Sequence, residues 1–109
     1  MPILWRKDRR VNMKDKLLRI VNHYGIDKQL KYIHSEHFEL DEAILTFEKS
    51  NEWTPSMVEN WRKHIAEELA DVMVMLKQFQ YYYGISNEEI EKIMNFKIER
   101  QLERIEEEI

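Results

Sequence analysis

Glu36 and Glu39 stand three residues apart, and so do Glu68 and Asp71. On a helix this spacing makes two side chains neighbours on one face. Both pairs border apolar positions: Ile33 and Leu40 beside the first, Leu69 and Val72 beside the second. If the two helices pack antiparallel, the four carboxylates converge on one partly buried spot. Left empty, such a spot is unfavourable, because like charges repel, burial disfavours each ionised form, and pKa values rise. A divalent cation relieves both penalties. Oxygen-only ligands suit a hard ion, Mg²⁺ or Mn²⁺, better than zinc. Magnesium keeps waters and takes further oxygens from a substrate phosphate, which points to nucleotide or phosphoanhydride chemistry. The competing reading is chance, since Glu88 and Glu91 share the spacing in a chain this charged. What sets the two pairs apart is their place at the edge of an apolar stripe, which a merely solvated face would not choose.

The elements that must position these acids are helices. Asn12 can cap a first helix whose face is Leu17, Ile20, Val21 and Tyr24, and Gly25 ends it. Asp27 can cap a second. Its stripe, Leu30, Ile33, His37, Leu40, Ile44 and Phe47, advances in steps of three and four and fades near Ser50 and Asn51. Thr54-Pro55 reads as N-cap and first helical residue of a third helix running to Tyr83 before Gly84. That helix carries Val58, Trp61, Ile65, Leu69, Val72, Leu76, Phe79 and Tyr83. Ser86-Asn87-Glu88-Glu89 is a capping box opening a fourth helix with Ile90, Ile93 or Met94, Ile98, Leu102, Ile105 and Ile109. The expected fold class is all-α, a four-helix-type bundle. Ala70, Met73, Val74 and Met75 add apolar surface outside the main stripe of the third helix. A monomer this small leaves some of it wet, so a homo-oligomer, a dimer or dimer of dimers, is expected.

Composition narrows the function classes. The 109 residues fit one domain, with 35% charged residues, two glycines and a net charge of −4. The charge gives no reason to expect nucleic acid, and no apolar run is long enough for a membrane helix. With no cysteine there is neither a disulfide framework nor a thiolate site, which fits a cytoplasmic setting. Residues 1–12 read as a flexible or accessory basic arm and 13–109 as the helical domain. None of His34, His37 and His64 follows a glutamate by three, so the Glu-x-x-His motif of di-iron bundles is absent. His37, in the apolar stripe, reads as a packed histidine. Trp53 and Tyr81, Tyr82 and Tyr83 read first as packing residues at helix ends, second as base-stacking groups. No glycine-rich phosphate loop, zinc spacing or Ser-His-Asp order is present.

The segment GIDKQLKYIHSEHFELDEAI, Gly25 to Ile44, together with AEELADV around Glu68, resembles the MazG-like all-α nucleoside triphosphate pyrophosphohydrolases. That family carries E-E-x-x-E, a variable spacer, then E-x-x-D. Here the first element reads Ser35-Glu36-His37-Phe38-Glu39 and the second Glu68-Leu69-Ala70-Asp71, with Ser35 where glutamate is common. The resemblance covers about Met13 to Arg104. It implies cleavage of a (d)NTP between the α and β phosphates to (d)NMP and pyrophosphate, in nucleotide-pool clearance. Glu36, Glu39, Glu68 and Asp71 would hold Mg²⁺, and Glu39 would also orient or deprotonate the attacking water. Lys97 and Arg100 would meet the phosphates and Gln29 the substrate, while Glu67, turned about 100° from Glu68, stays peripheral. The alternative is a catalytically silent helical oligomer that binds nucleotide or a protein partner.

Overall fold

The computed structural model describes residues 12–51 and 53–108. The basic arm, apart from Asn12, and Ile109 at the end of the fourth stripe lie outside the described residues. Four helices follow in order: α1 Met13–Tyr24, α2 Ile26–Lys49, α3 Pro55–Tyr82 and α4 Asn87–Glu108. No strand occurs among the described residues, and the chain is all-α. No described helix is long and apolar enough to cross a membrane.

The boundaries follow local chemistry. Asn12 accepts a hydrogen bond from the Asp15 amide at 2.9 Å and so starts α1. Gly25, at φ +90, links α1 to α2 with a backbone conformation that L side chains rarely adopt. It also occupies the N-cap position of α2, so Asp27 lies in the first turn rather than capping it. There its charge still complements the helix dipole. Thr54 Oγ1 accepts from the Met57 amide at 3.2 Å, and Pro55 takes the first helical position of α3. Ser86 Oγ accepts from the Glu89 amide at 3.1 Å at the head of α4.

α2 and α3 form an antiparallel hairpin, closed at its turn by aromatic rings. Trp53 meets Phe47 edge-on at 4.6 Å and donates its indole N–H to the Ser50 carbonyl at 2.7 Å. Its polar atom is thus used in the turn, which supports the packing role over base stacking. α1 lies against both helices, and Leu17, Val21, Leu40, Ala43, Val72 and Met75 are the buried apolar side chains. α4 contacts none of the other three helices along its length. Among the described residues it is fastened at its start, where Asn87 Oδ1 accepts from Lys77 Nζ at 2.7 Å, Gln80 Nε2 at 2.9 Å and Tyr81 Oη at 3.2 Å. Three helices therefore make one small core, and the fourth departs from it.

The buried line of the hairpin is rotated from the stripes read in the sequence. Gln29, Glu36 and Gln78 are buried, whereas Leu30, Ile44, Leu69 and Leu76 are exposed. His37 is exposed as well, facing Asp41 with Nδ1 3.5 Å from its carboxylate, and is not packed in the core.

Candidate metal centre

The hairpin positions the acids. Facing turns of α2 and α3 bring one carboxylate oxygen each from Glu36, Glu39 and Glu68 within 4.8 Å of one another. The three are unequal. Glu36 is 8% exposed, Glu68 half-buried and Glu39 exposed. Oε2 of Glu36 and Oε2 of Glu68 are both buried without a hydrogen-bond partner. An orphaned buried carboxylate oxygen is expensive, because it has lost water and received nothing in return. Burial, with the charges of Glu39, Asp71 and Glu36 added, pushes the Glu68 carboxyl above its ordinary value, and only His64 pulls the other way.

Asp71 stands one turn along α3 from Glu68, outside the trio. It lines a cleft of about 510 Å³ together with Glu36, Tyr32, Lys28, Gln29 and Gln78. Hydrogen bonding of the Tyr32 hydroxyl to Glu36, reinforced by the charges of Glu36, Glu39 and Asp71, raises the phenol above its ordinary value. Tyr32 therefore keeps its proton throughout the neutral range. Gln29 Nε2 donates to Gln78 Oε1 at 2.9 Å, an amide pair buried at the wall of the same cleft. Lys28 places Nζ 5.1 Å from the centre of the Tyr24 ring at its edge. On the other side, Glu39 and Glu68 border a second hollow of about 310 Å³ with His64, Trp61 and Phe38.

Of the residues singled out from the sequence, Glu36, Glu39 and Glu68 come together, with Asp71 and Gln29 beside them. Glu67 is exposed and outside the cluster. Lys97 and Arg100 are exposed on α4, which does not approach α2 or α3 within this chain. Their counterpart near the acids is Lys28. Lys28, Tyr32 and Gln78 were not singled out, although the signal existed. Tyr32 precedes Glu36 by four, and Gln78 follows Asp71 by seven, so each shares a helix face with an acid. A buried glutamine bonded to another across the hairpin is not visible before the helices are paired.

The cluster can bind a hard cation and present it to a cleft sized for a small organic ligand. Comparison with protein-family models, with curated proteins and with solved structures finds no match to this chain, so the likeness to pyrophosphohydrolases rests on the two acid motifs and their setting.

Proposed function

We propose that the protein is a Mg²⁺-dependent nucleoside triphosphate pyrophosphohydrolase that cleaves between the α and β phosphates and works as a cytoplasmic homo-oligomer in nucleotide-pool clearance. The observation that carries this reading is the pair of orphaned, buried oxygens on Glu36 and Glu68, which share a 4.8 Å cluster with Glu39. Two buried, unpartnered carboxylate oxygens in an all-oxygen donor set fit a magnesium or manganese ion, which would answer both the missing partners and the mutual repulsion. When bound, such an ion neutralises phosphate charge and acidifies a coordinated water.

The side chains divide the remaining work according to their surroundings. Glu36 and Glu68, sheltered from water, are the holding ligands, and Asp71 extends the acidic rim toward the cleft. Glu39 is exposed, so it can keep a water oriented and pass that water's proton to solvent. Tyr32, one turn before Glu36 on the same face of α2, can donate to its carboxylate. The adjoining cleft offers an aromatic ring at Tyr32, the Gln29–Gln78 amide pair and the Lys28 cation, a set suited to a nucleoside with a phosphate tail.

The test is pyrophosphate release from a panel of (d)NTPs with and without Mg²⁺. Release that needs the ion and is lost in Glu39→Gln is the expected result. No release from any substrate with metal-loaded protein refutes the enzyme, and isothermal titration of Mg²⁺ then distinguishes a binding protein from an empty acid cluster.

A further inference from the structure

The cleft beside the acid cluster has the Gln29–Gln78 amide pair at its other end. Gln29 precedes Glu36 by seven residues on α2, and Gln78 follows Asp71 by seven on the antiparallel α3. Two turns of helix, about 10.5 Å, therefore separate the carboxylates from the amides on both walls. Tyr32 stands between them on α2, and these side chains line the one cleft of about 510 Å³.

The two amides differ in what they can do. Gln78 is 1% exposed and Gln29 6%, so Gln78 acts on a ligand only through Gln29. Both polar atoms of Gln78 are engaged. Oε1 accepts from Gln29 Nε2 at 2.9 Å, and Nε2 donates to Met75 Sδ at 3.6 Å. A thioether sulfur accepts hydrogen bonds and has no proton to give. Met75 therefore sets the direction of the whole chain. The N–H side of Gln78 turns to the sulfur, its carbonyl turns to Gln29, and Gln29 gives up an N–H and keeps its own carbonyl free. Among the described residues none donates to Gln29 Oε1, and the buried oxygens left without a partner are those of Glu36 and Glu68. Gln29 Oε1 thus meets water at the cleft that the residue lines.

An acceptor held in a sheltered site selects a ligand that brings a donor. On nucleobase edges the exocyclic amino groups of cytosine and adenine are donors, whereas the keto oxygens of thymine and guanine are acceptors. A keto oxygen brought to Gln29 would face carbonyl lone pairs with little water to screen them. Lys28, the cation lining the cleft, is exposed and holds Nζ 5.1 Å from the centre of the Tyr24 ring, where it attracts a phosphate whatever the base.

We propose that Gln29 reads the base of the substrate as a hydrogen-bond acceptor, selecting cytosine and adenine nucleotides over their keto counterparts, and that Gln78 is the positioning residue that holds the Gln29 amide in this orientation. Such recognition rests on the nucleotide reading of the cleft given above, and it needs no cleavage.

Isothermal titration of the Mg²⁺-loaded full chain with α,β-methylene analogues of dCTP, dUTP, dATP and dITP reads the base contact without turnover. The dCTP analogue should bind at least about tenfold more tightly than that of dUTP, and the dATP analogue than that of dITP, the scale of one hydrogen bond made rather than opposed. This preference together with no pyrophosphate release from the four natural triphosphates overturns the hydrolase and leaves the base contact standing. Release without the preference, or with a keto preference, overturns the base contact and leaves the hydrolase standing. No binding of any analogue overturns the base contact outright. Gln78→Leu should raise the dissociation constant of the dCTP analogue toward that of dUTP while Mg²⁺ affinity holds. Should that variant fail to fold, Gln29→Leu with Gln78→Leu leaves no amide unpaired and carries the same expectation. Gln78→Glu, whose ionised carboxylate can only accept, still takes the Gln29 N–H and should keep the preference. An unchanged preference in either leucine variant overturns the role of the pair. Loss in Gln78→Glu as complete as in Gln78→Leu reduces Gln78 to a packing residue and overturns the positioning role.

Discussion

The two flanks of the α2–α3 hairpin solve opposite problems with the same helices. On one flank Glu36, Gln29 and Gln78 are buried and Glu68 half-buried; the two glutamines bond each other, while one oxygen each of Glu36 and Glu68 has no hydrogen-bond partner. On the other flank Leu69, Met73 and Leu76 stay in water. Hydrophobic burial accounts for Leu40, Ala43, Val72 and Met75 but not for the buried glutamate and glutamines beside them. The polar flank is therefore fixed by requirements of its own.

Substitutions on the acidic flank test this contrast most strongly. Glu39→Gln or Asp71→Asn should cut pyrophosphate release by about 100- to 10,000-fold with the helical circular-dichroism spectrum retained, the span associated with losing a positioned acid–base group. Full turnover in either would dissolve the functional side of the comparison. Next in size is cation linkage. Mg²⁺ at 100 times its dissociation constant should stabilise the fold by about 2.7 kcal/mol, read from thermal melts. Glu36→Gln, which removes a charge and a ligand, should lose that response. Gln78→Leu then measures the satisfied part of the same flank. Leaving the Gln29 amide buried without its partner should cost about 1–3 kcal/mol, and the double change to leucine should recover most of it in chemical denaturation.

The smallest effect is the pH dependence of Glu68. Its folded pKa is raised, so the folded state holds the proton to higher pH than the unfolded chain, and ionisation costs stability. That cost is fully present above the folded pKa, fades as pH falls through it, and is gone below the unfolded value. In metal-free protein, Glu68→Gln should raise the melting temperature at neutral pH, by an amount that shrinks on acidification through the carboxylate range. A gain that grows on acidification would reverse the sign and remove burial as the cause.

The contrast between flanks also explains what the sequence made legible. Helix ends were readable because they are set locally. Asn12, Thr54-Pro55 and Ser86 satisfy amides within three residues of themselves. The acid pairs were readable because three-residue spacing survives any packing of the helices. The half of each stripe that is buried was not. Leu30, Ile44, Leu69 and Leu76 share the helical period with Leu40 and Val72, and periodicity marks an apolar arc without saying which part meets a neighbour in the same chain. Asp27 failed as a cap because Gly25 supplied a one-residue link that brings α2 in early. The separation of α4 was likewise hidden, since its Ile90-to-Ile105 stripe looks like that of a helix packed in its own chain.

The junction at Asn87 gives that separation a mechanical meaning. One side-chain oxygen receives three donors from the last turns of α3, and the Ile85 carbonyl accepts from Gln80 Nε2 at 3.0 Å. The 22 residues of α4 thus form a lever about 33 Å long with its fulcrum on one amide. A tilt of about 10° at that fulcrum moves the free end by nearly 6 Å, by the rise of the helix alone. Among the described residues, the position of Lys97 and Arg100 relative to α1, α2 and α3 is therefore set by the junction at Asn87, ten or more residues away from either cation.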